Sequence, residues 1–268
     1  MNVIVPILLT LLFAVIGYIS GNFLYAYIIG KKVCHIDLYK IGSGNPGSTN
    51  LARGTKNKKI VLCAFLCDVF KCYLPILISA LIYRFVSKYS GVNLDCAYII
   101  YLAGFFAIIG HCFPLIHIYS LIRYGKDNEI TKHNKGGRGV ATFVGFMFAY
   151  NPWLWVVAFV IWYSTKKFGK MVSLASILAA STVALFGLIP GFSNCLYMYQ
   201  VATYPSLSCP VWTSYVVVRG DTLSFYSNYR FWIIFAISFC TGLLIVLRHA
   251  ENLKRIFTGT EYKFNKKK

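Results

Sequence analysis

Acidic residues are scarce in this chain: 8 Asp and Glu stand against 27 Lys and Arg among 268 residues. Charged residues of both signs make up 13% of the sequence, whereas a soluble domain carries about 25%. The few, dispersed carboxylates cannot form the aspartate cluster that metal-dependent lipid phosphotransferases and prenyltransferases use. The nine cysteines include no paired CxxC motifs, and no histidine cluster completes a zinc site. The composition therefore excludes an ordinary soluble domain and argues against these metal-dependent classes.

What the chain has instead is long uncharged stretches. Segments 1–30, 96–122, 139–165 and 231–247 contain no Asp, Glu, Lys or Arg, and a membrane-spanning helix needs roughly 20 apolar residues. The N-terminal stretch has no positively charged start and no small-residue cleavage site, so it is predicted to be a retained span. We predict an all-α integral membrane protein, one membrane-embedded domain over residues 1–268, with candidate spans at 3–29, 60–83, 96–117, 139–165, 171–190 and 230–248.

The number of crossings depends on segment 139–165, whose middle reads AYNPWLW. Asn-Pro initiates turns, and a proline ends a helix at the preceding residue. Two short or broken helices, roughly 140–150 and 152–165, are therefore expected. The bundle then has about seven transmembrane helices, with the N-terminus outside and the C-terminus cytoplasmic.

The basic residues support this orientation. Segments 31–59, 123–138, 166–170 and 248–268 hold 22 of the 27 Lys and Arg, and the predicted outer loops hold 4. This is the bias of the positive-inside rule, and it also attracts anionic lipid headgroups. Phosphorylated substrates are a third, compatible explanation of the formal charge of +19. No basic stripe interleaved with aromatic residues occurs, so no nucleic-acid partner is expected.

Polar clusters fall at the predicted cytoplasmic ends of the spans. The first, GSGNPGSTNLARG, lies in region 40–54, and GHCFP and KGGRGVAT lie in region 110–142. Ser173 and Ser176 open the sixth span, and RHAENLKRIFTGTE occupies region 248–261. Glycine-rich loops that lead into helices bind anions through free N–H groups. Each loop alone could be an ordinary turn, but their joint occurrence on one side favours a phosphate site.

Two further pairs add candidate residues. Asp68 and Lys71 lie three apart inside the second span, where charges are costly and usually paired. An ion pair that orients the helix and a direct substrate role are equally compatible with their spacing. His249 precedes Asn252 by three residues on a helix, and an imidazole beside an amide can orient and deprotonate a hydroxyl.

These motifs, in this order, resemble the three cytoplasmic motifs of bacterial membrane glycerol-3-phosphate acyltransferases that use acyl phosphate. The resemblance extends from about residue 17 to 263. It implies transfer of a fatty acyl group from acyl phosphate to the 1-hydroxyl of glycerol 3-phosphate, giving lysophosphatidic acid and phosphate, the first step of phospholipid synthesis. It implies no cofactor or metal, a bacterial cell membrane location, and functional coupling to the enzyme that makes acyl phosphate.

The resemblance also assigns roles to residues. Catalytic roles fall on Ser43, Arg53, His249 and Asn252. Substrate-binding positions are Gly44, Asn45, Gly47, Asn50, Lys135, Gly136, Gly137, Arg138, and Ser173 or Ser176, and supporting positions are Asp68, Lys71, His111 and Glu261. Either His249 or the phosphate of the substrate is the base that takes the hydroxyl proton.

The chain departs from the family pattern in a few places. Arg138 stands where the family usually has lysine, and a rigid guanidinium holds phosphate differently from an ammonium. Segment 115–134 is an insertion, expected to form a basic cytoplasmic flap, and the external loop 191–228 is enlarged. A membrane transporter for phosphorylated anions is the alternative function, since broken helices and glycine-rich loops occur there too. A transporter would distribute polar residues through the membrane depth, whereas here only Asp68 and Lys71 enter a span.

Overall fold

The computed structural model describes residues 4–90, 94, 96–186 and 229–261, and every regular element in these ranges is helical. The helices are α1 (Ile4–Gly21), α2 (Tyr25–Val33), α3 (Ser48–Gly54), α4 (Lys58–Tyr89), a 3-10 turn (Ala97–Ile99), α5 (Ile100–Cys112), α6 (Leu115–Tyr124), α7 (Glu129–His133), α8 (Val140–Tyr150), α9 (Pro152–Gly169), α10 (Val172–Phe186), α11 (Tyr229–Leu247) and α12 (Ala250–Phe257). The predicted all-α fold is confirmed. The predicted external loop 191–228 lies outside the described residues.

Several helices have the length and composition of membrane spans. Ile4–Val33 and Lys58–Tyr89 each qualify as a crossing. Two bent pairs also qualify, Ala97–Cys112 with Leu115–Tyr124 at 46° and Trp232–Leu247 with Ala250–Phe257 at 53°. The number of crossings and the orientation of the termini stay predictions.

The described residues divide into two compact units, Met1–Phe146 and Met147–Lys268. In the first unit α1 packs closely on α5, because Gly17 and Gly21 lie directly against the backbone of Ala103 and Ala107. Small residues four apart let two helices approach within backbone contact, which is the usual way that membrane helices associate. A side chain at either glycine would overlap a carbonyl of α5.

Replacing Gly17 by leucine is therefore expected to lower the free energy of unfolding by about 1–3 kcal/mol, the usual cost of overpacking a tight contact. The measurement is the thermal unfolding midpoint in detergent. Val15 lies on the same helix with 53% of its side chain exposed, so Val15→Leu should leave the midpoint unchanged. Equal midpoints for both variants would contradict the close contact of α1 and α5.

The break predicted within segment 139–165 is confirmed. Helix α8 ends at Tyr150, and α9 begins at Pro152. Asn151 caps α9, since its side-chain oxygen accepts hydrogen bonds from the amides of Trp153 and Leu154, both at 3.0 Å. The proline occupies the first helical position, where the missing N–H group costs nothing. Local sequence is thus enough to predict this break.

The first predicted span, 3–29, is not one helix. It divides at residues 22–24 into α1 and α2, although the two helices together still have the length of one span. Lys71 on α4 donates a hydrogen bond of 2.7 Å to the carbonyl of Phe23. The carboxylate of Asp68 accepts one from the amide of Tyr25. A buried lysine and aspartate thus satisfy the backbone groups that the break exposes.

The insertion 115–134 contains two helices, α6 and α7. The Thr131 hydroxyl donates to the Ser120 carbonyl at 3.0 Å, and the side-chain Nδ2 of Asn134 donates to the Ser120 hydroxyl at 2.7 Å. Helix α6 also exposes apolar side chains, including Ile122 at 82%. The segment is therefore structured, and its outer face has the apolar character of the spans.

In the second unit α10 packs against both α9 and α11, and α12 also contacts α10. Gly242 on α11 faces the carbonyl of Ala180 on α10, and an added Cβ would lie 2.9 Å from that oxygen. This packing places the start of α10 near α12 within the unit, and both carry candidate site residues.

Candidate active site

The first motif folds into a loop organised by one buried amide. Asn50 is 1% exposed, and its Nδ2 donates to the carbonyls of Leu38 at 2.8 Å and Ile41 at 3.1 Å. Its Oδ1 accepts from the amide of Ser43 at 3.1 Å and from the Arg53 guanidinium at 3.4 Å. The amide to which the resemblance gives a substrate-binding role thus holds the loop together in this structure.

Two glycines allow the backbone conformation of this loop. Gly42 and Gly44 have φ angles of +52° and +63°, which favour glycine because a Cβ is strained there. At Gly42 a Cβ would also overlap the Asn50 amide. The loop therefore leaves Ser43, Asn45 and Gly47 partly accessible and the side chain of Arg53 exposed.

The second motif crosses the end of α5 in backbone contact. The amide of Gly137 donates to the carbonyl of His111 at 3.0 Å. A Cβ at Gly136 would overlap the Cys112 carbonyl, and one at Gly137 would overlap the His111 ring. Both glycines are buried, whereas Lys135 is exposed and Arg138 is half-buried. The glycines thus have a packing role, and the cations beside them keep access to solvent.

Lys71 connects this region to the break between α1 and α2. Its ammonium lies 2.8 Å from the Asp68 carboxylate, and both side chains are 1% exposed. It also lies 2.6 Å from Nδ1 of His111. With the carbonyl of Phe23 as a further acceptor, the ammonium of Lys71 lies close to three groups that can bind it. His111 Nδ1 then accepts, which places its proton on Nε2, beside Gly137.

This geometry favours the explanation of Asp68 and Lys71 as an ion pair that orients the helix, over a direct role in substrate binding. The Asp68 and Lys71 side chains bind each other and the backbone at the break between α1 and α2, and Lys71 also contacts His111. The pair therefore orients helices and supports the second motif. The contact of His111 with Gly137 supports the role that the family resemblance implies for this histidine.

Tyr39 joins the first and second motifs, although none of the sequence motifs marks it as a site residue. Its hydroxyl donates to the carbonyl of Lys135 at 2.7 Å. The centroid of its ring lies 4.7 Å from the ring centroid of His133 and 5.0 Å from the ring centroid of Tyr27. Burial raises the pKa of Tyr39, so the hydroxyl stays a donor at neutral pH. A lone tyrosine in a basic loop carries no sequence signal for such a contact.

In the second unit the carboxylate of Glu261 collects the residues of the third motif. Its Oε1 accepts from the Ser173 hydroxyl and from Asn252 Nδ2, the latter at 2.8 Å, and its Oε2 accepts from Arg255 Nε at 2.8 Å. The structure thus distinguishes the two candidate serines, because Ser176 instead bonds the Val172 carbonyl of its own helix at 2.8 Å.

The charge of Glu261 is stabilised. Burial alone would raise its pKa, but the hydrogen bonds from Ser173, Arg255 and Asn252 outweigh burial and hold the pKa below its ordinary value. The contribution of this network to stability is therefore complete above the ordinary carboxyl pKa. This stabilisation is lost as the pH falls through the lowered pKa of Glu261.

His249 lies at the bend between α11 and α12 and is 1% exposed. Its Nδ1 lies 2.8 Å from the carbonyl of Ile245. Because a carbonyl can only accept, Nδ1 carries the proton, and Nε2 of the neutral ring carries the lone pair. Asn252 follows one helical turn later, also buried. The bend therefore presents an imidazole nitrogen of the tautomer that a general base requires.

The fold and these clusters define an all-helical integral membrane protein whose polar groups occupy glycine-rich loops and helix ends. A family model described as "Glycerol-3-phosphate acyltransferase" matches residues 11–259. The glycerol-3-phosphate acyltransferase of Malacoplasma penetrans (strain HF-2) is 35% identical over 96% of this chain and 95% of the relative. That of Aquifex aeolicus (strain VF5) is 28% identical over 95% of this chain and 98% of the relative.

Solved structures agree with the sequence comparison. Crystal structures of PlsY (YgiH), an integral membrane glycerol 3-phosphate acyltransferase, match in two forms. The glycerol 3-phosphate form has a TM-score of 0.63 and 26% identity, covering 96% of both chains. The lysophosphatidic acid form has a TM-score of 0.62 and 25% identity, covering 96% of this chain and 95% of the other. The chain belongs to the glycerol-3-phosphate acyltransferase family, which confirms the resemblance inferred from its motifs.

Proposed function

We propose that this protein transfers a fatty acyl group from acyl phosphate to the 1-hydroxyl of glycerol 3-phosphate. The observation that carries the proposal is the family match over residues 11–259, which includes the first two motif regions and residues 248–259 of the third. The PlsY structures in glycerol 3-phosphate and lysophosphatidic acid forms support the acceptor and the product. The acyl-phosphate donor follows from the motif resemblance.

The chemistry needs little help at the leaving group. Acyl phosphate is a mixed anhydride: the hydroxyl oxygen forms a bond to the acyl carbon, and the bond from that carbon to the phosphate oxygen breaks. Both substrates are anionic, so cations are needed to bind and orient them. We assign this role to Arg53, Lys135 and Arg138, which the first unit presents beside its two glycine-rich loops.

The hydroxyl proton must go to a base. His249 is supported as that base because its Nδ1 bonds the Ile245 carbonyl and leaves the lone pair on Nε2. The phosphate of glycerol 3-phosphate is the other candidate acceptor. Ser173 and Asn252, held by Glu261, are the residues that we assign to contacts with glycerol 3-phosphate in the same unit.

The proposal extends to the cellular setting. We place the protein in a bacterial cell membrane, with the motif loops on the cytoplasmic side, because 22 of its 27 Lys and Arg residues lie in the segments predicted to be cytoplasmic. A mixed anhydride hydrolyses readily, so functional coupling to the enzyme that makes acyl phosphate would limit its loss. The whole chain, residues 1–268, is proposed to act as a single acyltransferase domain.

The test is phosphate release by the purified protein supplied with palmitoyl phosphate, with and without glycerol 3-phosphate. We expect release that depends on glycerol 3-phosphate, with an equal amount of lysophosphatidic acid. A folded protein that gives no acceptor-dependent release would overturn the proposal. Counterflow of glycerol 3-phosphate by the same protein in vesicles would then identify a transporter.

A further inference from the structure

The backbone of Tyr39 is bound on both sides to the loop of the first motif. Nδ2 of Asn50 donates to the carbonyl of Leu38 at 2.8 Å and to that of Ile41 at 3.1 Å, and Tyr39 lies between these two residues in the chain. The carboxylate of Asp37 accepts a hydrogen bond of 3.0 Å from the amide of Tyr39. The position of the tyrosine side chain therefore depends on that of the first motif.

The ring of Tyr39 packs between two other rings, which we call with it the aromatic cluster. The ring centroid of Tyr27, on α2, lies 5.0 Å away, and that of His133, at the end of α7, lies 4.7 Å away. Aromatic rings at these separations attract each other. Nε2 of His133 also lies 3.6 Å from Oδ2 of Asp37. The insertion 115–134 thus contributes one of the three rings.

The hydroxyl of Tyr39 extends from this cluster to the second motif. It donates to the carbonyl of Lys135 at 2.7 Å, and this carbonyl belongs to the peptide group that joins Lys135 to Gly136. Two residues further on, the amide of Gly137 donates to the carbonyl of His111 at 3.0 Å. The start of the second motif is therefore bound by the first motif as well as by the end of α5.

The hydrogen bond from Tyr39 is better suited to positioning than to stabilising the fold. It is exposed to solvent, so water can replace the hydroxyl at the Lys135 carbonyl at little cost. The bond does restrict where the backbone of Lys135 lies.

The same contacts lead to the cation of the first motif. Oδ1 of Asn50 accepts from the Arg53 guanidinium at 3.4 Å, while its Nδ2 binds the carbonyl of Leu38, next to Tyr39. A continuous series of hydrogen bonds and peptide groups thus joins Arg53 to Lys135. Cations that are held in place before a ligand arrives bind it more tightly, because less ordering is needed on binding.

We infer that Tyr39 is a positioning residue that fixes the Lys135 backbone relative to Arg53, so that the two cations bind a substrate phosphate group together. His133 assists by holding the tyrosine ring, which gives the insertion 115–134 a role in substrate binding. The inference rests on the proposed function and adds to it two residues from outside the glycine-rich motifs.

The experiment is a measurement of KM for palmitoyl phosphate and for glycerol 3-phosphate with the Tyr39→Phe variant, which keeps the ring and loses only the hydroxyl. We expect KM to rise by about 3–10-fold for at least one substrate, the usual effect of one hydrogen bond. The value of kcat should stay within about twofold of the wild type, because binding is weakened equally before and during the reaction. A rise for one substrate alone identifies the phosphate that the two cations share.

A matched control lies in the same cluster. The hydroxyl of Tyr27 accepts a hydrogen bond of 3.3 Å from the exposed Lys31. Tyr27→Phe therefore makes the same chemical change without touching the second motif, and both KM values should stay at the wild-type level. Thermal unfolding in detergent establishes that each variant is folded.

Double variants test whether Tyr39 acts through Lys135. In a Lys135→Met background, Tyr39→Phe should raise KM no further, because the cation that it positions is already gone. His133→Ala should raise the same KM as Tyr39→Phe does. Combining these two changes should have less effect than the product of the single effects, since both act on the tyrosine side chain. A purely structural role would give the same fold-change in KM with or without Lys135.

Several results would overturn the inference. Wild-type KM values in a folded Tyr39→Phe enzyme would remove the positioning role, and a lower unfolding midpoint with unchanged KM would show that the cluster only stabilises the fold. An undiminished effect of Tyr39→Phe in the Lys135→Met background would show that the tyrosine does not act through Lys135. A wild-type protein without acyltransferase activity would refute the proposed function, and this inference with it.

Discussion

Replacing His249 by asparagine is expected to lower kcat by about 10²–10⁴-fold, the usual contribution of a general base. The asparagine amide can keep the hydrogen bond that Nδ1 makes to the Ile245 carbonyl at 2.8 Å. What it removes is the lone pair of Nε2. The measurement is the steady-state rate of phosphate release with saturating acyl phosphate and glycerol 3-phosphate.

A matched control is available in the same chain. His35 is exposed and has a φ of +55°, a conformation that asparagine tolerates well, so His35→Asn should remain fully active. A fully active, folded His249→Asn enzyme would assign the role of base to the phosphate of the substrate. That result would leave the reaction unchanged and remove His249 from its proton transfer.

Replacing Lys71 by methionine should produce the largest loss of stability, about 3–5 kcal/mol, the usual cost of breaking a buried ion pair. The change leaves the Asp68 carboxylate buried without its partner at 2.8 Å. It also removes the donor to the Phe23 carbonyl and to His111. The measurement is reversible unfolding in detergent, followed by tryptophan fluorescence.

Two control variants show whether the loss of stability is specific to the buried ion pair of Lys71. Lys132 also lies 2.8 Å from a carboxylate three residues away, that of Glu129, but this pair is exposed. Lys132→Met should therefore leave unfolding unchanged. Adding Asp68→Asn to Lys71→Met should restore part of the stability, because no buried charge is then left unpaired. Equal unfolding of the Lys71→Met and Lys132→Met variants would contradict the buried network.

Local sequence and composition were enough to predict several features of the protein. Long uncharged stretches predicted the all-α membrane fold, since only a helix satisfies its own backbone groups in lipid. Asn151 and Pro152 predicted the break between α8 and α9, because capping and the proline ring act within a few residues. The order of the three motifs was enough to identify the family, which the comparisons confirm.

Other features had no local signal. The break between α1 and α2 depends on Asp68 and Lys71, which approach it from a different helix. The insertion 115–134 was expected as a basic flap, and the structure adds that it contains two helices, α6 and α7, which contact each other through Ser120. These outcomes depend on which distant groups come into contact, and periodicity does not report that.

The sequence by itself determined the class of the protein, its family and the residue types available for binding two anionic substrates. Only the tertiary structure decided how those residues are held. Tyr39 bonds the carbonyl of Lys135, 96 residues away, and Ser173 bonds Glu261, 88 residues away. The physical reason is that a hydrogen bond fixes a side chain only when folding brings its partner within about 3 Å.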